Sequence, residues 1–156
     1  MNRKVLLTIM ALILSFTAVQ AQDIFEKLSN HDDITTVYIS KSLLSMMPSK
    51  GADMMGGVNI KNLASKLEQL EVYNSENKGA SDMMRNEIKA LVKTKTYETL
   101  MAVKDKGDNV TFYAHKENDK FKDLVMFVNE PNACTIIRIT GNFTAEDIQG
   151  VMDSTK

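Results

Sequence analysis

Apolar and polar residues follow two different periods along this chain. Between residues 59 and 92 the apolar residues recur at helical spacing in two groups: Ile60, Leu63, Ala64 and Leu67, then Met84, Ile88, Leu91 and Val92. Asn59 and Ser81 precede these groups, and both are residue types that cap helices. The pattern predicts one helix that begins after Asn59 and a second that begins after Ser81.

From Tyr97 onward the period is two, which is typical of half-buried strands. Four such stretches follow one another: residues 97–103, 110–116, 122–129 and 133–140. Only short connections separate them, and short connections join antiparallel neighbours. Residues 124–128 are apolar throughout and residues 136–139 are nearly so. We therefore expect the third and fourth strands at the centre of the sheet, with both faces covered.

The remaining segments alternate between helix and strand. Apolar residues at helical spacing mark two short helices near the start: Ile24, Phe25 and Leu28, then Leu43, Leu44 and Met47. Residues 34–40 and 70–74 predict strands, and Thr144 with Asp147 forms the capping box of a last helix. The whole pattern predicts one α+β domain, with a mainly antiparallel sheet, a C-terminal four-strand meander and helices packed on it.

The first 21 residues have the pattern of a secretory signal peptide. A short positive start precedes the apolar residues 5–19, and Val19 and Ala21 occupy the positions that a signal peptidase reads. We expect cleavage between Ala21 and Gln22, which leaves residues 22–156 as the mature domain. The apolar run is shorter than the roughly 20 residues of a spanning helix, and the only cysteine, Cys134, is far from the cleavage site. The expected product is exported and soluble, either periplasmic or extracellular, and not lipid-anchored.

Charge and cysteine content restrict the partners that the mature chain can bind. Two of the 19 basic residues lie in the signal peptide, so 17 basic residues face 20 acidic ones and the net charge is −3. Positive and negative residues are mixed along the chain, which argues against nucleic-acid binding. With a single cysteine, the chain forms no internal disulfide, so its stability must come from packing.

Few residues suggest catalysis or metal binding. The cluster His31-Asp32-Asp33 is the one group that could hold a divalent metal, but adjacent side chains point apart, and a polar loop is the favoured interpretation. His115 is isolated near a strand end. Cys134 lies among apolar neighbours that make a thiol inert, so a structural role is favoured over a nucleophile. Neither a nucleophile elbow nor a phosphate loop is present. We expect no enzyme activity, no metal site and no cofactor.

Methionine is the most unusual part of the composition. Nine of the 11 methionines lie after the signal peptide, and the pair Met54-Met55 falls in a glycine-rich loop outside every periodic pattern. Methionine adapts to irregular surfaces, so we expect Met54 and Met55 to contact a partner; packing of one of them under the sheet is the other interpretation. Thioethers also suit Cu(I), which leaves a copper site open. Near the C-terminus, Asp153-Ser154-Thr155 matches a short acceptor for O-glycosylation.

Five stretches in order carry a resemblance to a known family: residues 25–28, 37–41, 67–74, 97–116 and 124–141. Together they resemble the domain of unknown function 4252 family, exported proteins found mostly in Bacteroidetes. The resemblance implies an exported protein with a role in envelope regulation, and it implies no catalytic residues. We therefore expect a non-enzymatic domain that binds a protein or peptide partner in the cell envelope. The alternative is a small-molecule or copper-binding protein that uses the methionine-rich loop.

Overall fold

The computed structural model describes residues 23–46, 65–94 and 96–153. They form four helices and six strands: α1 (Ile24–Ser29), β1 (Thr35–Ser40), α2 (Lys41–Met46), β2 (Leu67–Ser75), α3 (Lys78–Lys93), β3 (Tyr97–Asp105), β4 (Asp108–Glu117), β5 (Lys120–Asn129), β6 (Cys134–Phe143) and α4 (Ala145–Asp153). None of the described helices is long and apolar enough to cross a membrane.

The six strands form one antiparallel sheet in the order β1-β2-β6-β5-β4-β3. The last four strands are the predicted meander, and β5 and β6 occupy the predicted central positions. The α+β class with a single, mainly antiparallel sheet is therefore confirmed. β2 is inserted between β1 and β6, so β1 and β3 form the two edges.

Each face of the sheet carries its own apolar core. On one face, α1 and α3 cover a cluster of ten buried residues: Phe25, Leu28, Ile34, Tyr73, Ala80, Met84, Ile88, Val125, Cys134 and Ile136. On the other face, α2 and α4 contribute Leu44 and Ile148 to a second cluster, which also holds Ile39 and Leu70. Because alternate residues of a strand point to opposite faces, the central strands supply residues to both clusters.

Local capping explains where the first and last helices begin. The Asp23 carboxylate accepts a hydrogen bond of 3.1 Å from the backbone N–H of Phe25, as an N-cap residue should. At α4, the Asp147 carboxylate accepts from the Thr144 backbone N–H at 2.8 Å, and the Thr144 hydroxyl accepts from the Asp147 N–H at 3.4 Å. This is the predicted capping box.

Three predictions about local structure need correction or lie beyond the description. Ser81 does not cap its helix: α3 begins at Lys78, and the Asn77 side chain accepts from the backbone N–H of Ala80. Leu67 belongs to β2 and not to a helix. The helix predicted after Asn59 falls mostly on residues outside the described ranges.

Ser81 lies inside α3, where its hydroxyl donates a hydrogen bond of 2.9 Å to the backbone carbonyl of the buried residue Ser75. Glycine weakens helices, and Gly79 lies in the first turn of α3. The Asn77 cap and the burial of Ala80 outweigh that preference, so the helix begins one turn earlier.

Candidate functional site

Exposed apolar side chains are concentrated at one edge of the sheet. Among the described residues, five large apolar side chains are exposed, and four of them lie in ten consecutive residues of β1 and α2: Val37 (46%), Tyr38 (60%), Leu43 (45%) and Met46 (71%). The fifth is Val103 (48%), on the opposite edge strand β3. Scattered single residues of this kind are normal, and the grouping of four of them in one short segment sets this edge of the sheet apart. We call the exposed surface of β1 and α2 the apolar edge.

The two edge strands of this sheet are protected to different degrees. Natural proteins blunt an edge strand with charges, prolines or bulges, because its unpaired backbone groups can recruit another strand. β3 carries Glu98, Lys104 and Asp105, and its register shifts between Thr99 and Met101. β1 has the sequence TTVYIS with no charged residue, and its pairing with β2 runs without a shift. Of the two edge strands, β1 therefore carries the fewer protective features.

Helix α2 extends the apolar edge beyond the strand. It follows β1 directly, and the Ser40 hydroxyl accepts from the backbone N–H of Leu43 at 3.4 Å. Leu44 is buried with Ile39 in one core cluster and so holds the helix against the sheet. Leu43 and Met46 remain exposed. The helix therefore presents two large apolar side chains next to an unprotected strand.

An ionic network next to β1 holds the neighbouring strands together. Arg138 on β6 binds Asp123 of β5 through both Nε and Nη2, at 2.9 and 2.8 Å, and Glu71 of β2 at 3.3 Å. Its guanidinium also lies over the Phe25 ring, 4.0 Å from the centroid. Glu71 lies on β2 and pairs in register with Tyr38 of β1. The network therefore stabilises β2, the strand that pairs with β1.

The pKa values of this network follow from burial and from its charges. Burial acts to lower the pKa of Arg138, but the hydrogen bond and charge of Asp123, followed by Glu71, raise it above the ordinary value. The Tyr97 hydroxyl donates to Asp123 at 2.8 Å, and burial with the Asp123 charge raises the tyrosine pKa. Asp123 Oδ1 is buried without a hydrogen-bond partner among the described residues. Arg138 and Tyr97 both bind the other oxygen of this carboxylate, Oδ2, and so link β3, β5 and β6 at one point of the sheet.

The residues considered for metal binding are not brought together. The His31 ring nitrogen Nδ1 accepts from the backbone N–H of Asp33 at 3.2 Å, within a turn between α1 and β1. His115 lies on β4, with Nδ1 2.8 Å from the Thr96 carbonyl. No group of three or more His, Cys, Asp or Glu side chains in the described ranges could hold a metal ion.

Cys134 is buried, as its apolar neighbours predict. It begins β6, and its side chain is fully inaccessible in the core under α1 and α3. Burial raises the pKa of the thiol to about 11; the Arg85 charge lowers it by a smaller amount, and the Glu130 charge raises it slightly further. Because the thiolate is the reactive form, Cys134 has the properties of a structural residue.

The two adjacent methionines of α3 differ in burial, because neighbouring residues of a helix point in different directions. Met84 is fully buried, whereas Met83 is only partly buried at the border of the same cluster. The predicted contact residues Met54 and Met55 lie outside the described residues, as do the cleavage pair Ala21-Gln22 and the serine of the glycosylation motif, Ser154. Their roles stay predictions.

Sequence reasoning did not single out Val37 and Tyr38. Both lie in a correctly predicted strand, but the prediction did not place that strand at an edge. The available signal was the absence of charge: residues 34–40 are the one predicted strand without Lys, Arg, Asp, Glu, Asn or Gly. Edge exposure itself depends on β2 pairing with β6, which is a long-range event.

Two comparisons with known proteins bear on this chain. A family model described as a domain of unknown function (DUF4252) matches residues 25–151. The match includes every described strand and all but the ends of the helical segments. No curated protein matches the chain.

Proposed function

Since this chain belongs to the domain of unknown function 4252 family, whose description assigns no activity, we propose a function from its geometry: an exported, non-enzymatic domain that binds a protein or peptide partner through the apolar edge. The partner adds an extended strand to β1 and covers the exposed side chains of α2. The observation that carries the proposal is the concentration of exposed apolar side chains beside the uncharged edge strand β1.

Strand addition matches what β1 offers. In this mode of recognition the main-chain hydrogen bonds supply affinity, and alternate side chains supply specificity. Val37 and Tyr38 point to opposite faces of the sheet, so an added strand contacts both. Leu43 and Met46 then provide an apolar surface beside one face of that strand. The strand and the helix together form a bipartite surface that suits a peptide with apolar side chains.

The proposed location is the cell envelope. The support is the signal-peptide pattern of residues 1–21, which predicts export with cleavage between Ala21 and Gln22. Envelope regulation is the role that we propose for the partner complex, on the strength of the family resemblance. A small-molecule or copper-binding role for the loop that holds Met54 and Met55 remains the alternative proposal.

Charge placed on the apolar edge tests this function. In the cells that naturally produce the protein, a tagged chain is fixed to its neighbours with formaldehyde and purified. Replacing Val37 and Tyr38 with lysine should reduce recovery of the specific partner at least tenfold, because a charge on an edge strand opposes pairing with another chain. Both positions are exposed, so the free energy of unfolding should change by less than about 0.5 kcal/mol per site.

The matched control is Val103→Lys, at a position of nearly equal exposure on the other edge strand. It adds charge without touching β1, and partner recovery should equal that of the wild type. Equal recovery with the Val37→Lys, Tyr38→Lys double variant, at an unchanged melting temperature, would contradict the proposal. So would an equal loss with the Val103→Lys control.

A further inference from the structure

A cleft along helix α3 differs in composition from the apolar edge. It lies between α3 and strands β4 and β5, and has a volume of about 380 Å³. Its lining consists of Arg85, Ile88, Lys89, Val92, Lys93, Tyr113, Phe127 and Asn129. The volume falls in the range of small-molecule sites, which are mostly apolar with a few placed polar groups.

The lining divides into an apolar floor and a basic rim. Ile88 and Val92 from the helix meet Tyr113 and Phe127 from the sheet, and all four belong to or border the core cluster under α3. The rim is formed by the cations of α3, which stand four residues apart and so lie along one face of the helix. The floor offers contact to an apolar body, and the rim offers charge to an anion.

Arg85 is the fixed member of the rim. Its Nε donates to the Asn129 side chain, and its Nη1 donates to the Asp82 carboxylate at 2.8 Å. Its Nη2 donates to the backbone carbonyls of Glu130, at 2.9 Å, and Ala133. Four of its five donors are thus occupied, and Asp82 offsets its charge. Arg85 shapes the wall of the cleft and leaves recognition of an anion to the two lysines.

Lys89 and Lys93 are the available cations. Both are exposed, and neither forms an ion pair with any residue in the described part of the chain. On the sheet, the register neighbours of Tyr113 and Phe127 on this side are Thr99 and Thr111, which are neutral. None of the described residues that line the cleft is acidic. In a chain with net negative charge, this is a local positive site above an apolar floor.

We propose that this cleft binds a small amphipathic carboxylate, whose apolar body lies on Tyr113 and Phe127 while its anionic group meets Lys89 and Lys93. The charge complementarity of the rim selects an anion, and the apolar floor selects against one that is fully hydrated. The proposal does not depend on partner binding at the apolar edge, because the two surfaces share no residue.

The test compares three probes by isothermal titration calorimetry with the mature protein. Decanoate has both an apolar chain and an anionic group, decyltrimethylammonium has the chain with a positive group, and tetraglutamate has the charge without the chain. Decanoate should bind at least tenfold more tightly than either of the others. Equal binding of decanoate and decyltrimethylammonium, or tighter binding of tetraglutamate, would overturn the proposal.

Variants and a residue-level readout locate the binding. The double variant Lys89→Glu, Lys93→Glu should weaken decanoate binding at least tenfold. The exposed control pair Lys104→Glu, Lys106→Glu makes the same change in net charge outside both surfaces, and its decanoate affinity should stay within twofold of the wild type. Decanoate should shift the NMR signals of Ile88 and Val92. Shifts confined to the apolar edge would place the site there and refute the cleft, without bearing on partner binding at β1.

Discussion

Individual buried polar residues in this domain join neighbouring strands of the sheet. Arg138 contacts two acidic side chains from two neighbouring strands, and Tyr97 adds a hydrogen bond to one of them. Such buried pairs are costly to form but more costly to break, because loss of one partner leaves an unpaired buried charge. The network therefore fixes the position of β2, and β2 pairs with the edge strand β1.

Cys134 provides a prediction at this scale. With a pKa raised to about 11 by burial, the thiol has little thiolate at pH 8, and its full burial blocks access. A thiol reagent should label the native protein slowly and label the urea-unfolded protein stoichiometrically. In a Cys134→Ser background, the exposed control Ser45→Cys should label quickly. Rapid native labelling of Cys134 itself would contradict its structural role.

The same side chain also gives an expected loss of stability. Cys134→Ser places a hydroxyl where a thiol packs against apolar neighbours, and we expect a cost of about 1–2 kcal/mol in the free energy of unfolding. Urea unfolding of the two proteins measures it. An unchanged free energy would indicate that the hydroxyl finds a partner or that the site is looser than its burial implies.

Elements of secondary structure in this protein were predictable where the signal is local. The Asp23 cap, the Thr144-Asp147 capping box and the two central strands follow from residue type and spacing alone. The start of α3 did not, because Asn77 and Ser81 are both capping residue types and the Asn77 side chain, four residues earlier, supplies the cap. The sequence analysis did not single out the cations of α3: their spacing of four residues places them on one face of the helix, but which way that face points depends on how α3 packs on the sheet.

The last helix supports a prediction on pH dependence. The hydrogen bond from Lys66, at 2.7 Å, and then those from Thr144 lower the pKa of Asp147. A carboxyl whose pKa is depressed on folding stabilises the protein above its unfolded pKa of about 3.9, and that contribution is lost as the pH falls through the folded pKa. Asp147→Asn should therefore cost roughly 1 kcal/mol at pH 7 and progressively less below about pH 4.

Urea unfolding at several pH values measures this difference. The control is Asp119→Asn, in an exposed turn where the backbone φ of 61° suits asparagine as well as aspartate. It should change the free energy of unfolding by less than about 0.5 kcal/mol at every pH. A cost of Asp147→Asn that stays constant from pH 7 down to pH 2.5 would show that the charge of Asp147 is not what stabilises α4.

At the scale of the whole molecule, strand order decides which surface is free. The sequence predicts six strands and a meander, but the insertion of β2 between β1 and β6 depends on long-range pairing that no local pattern reports. That pairing leaves the uncharged β1 at one edge and the charged, bulged β3 at the other. The proposed partner site thus depends on the strand order of the sheet. Composition alone could indicate only the methionine-rich loop, with Met54 and Met55 as candidate contacts.

The central claim is that a partner adds a strand to β1, and residue-specific photo-crosslinking in the producing cells tests it most directly. A photoreactive amino acid is placed in turn at Val37, Tyr38 and Val103. Because Val37 and Tyr38 point to opposite faces, a strand added edge-on contacts both, whereas a partner docked on one face contacts one. The account predicts the same adduct from Val37 and Tyr38 and none from Val103. An adduct from only one of the first two positions, equal adducts from all three, or an adduct with the mass of two copies of this chain would contradict it.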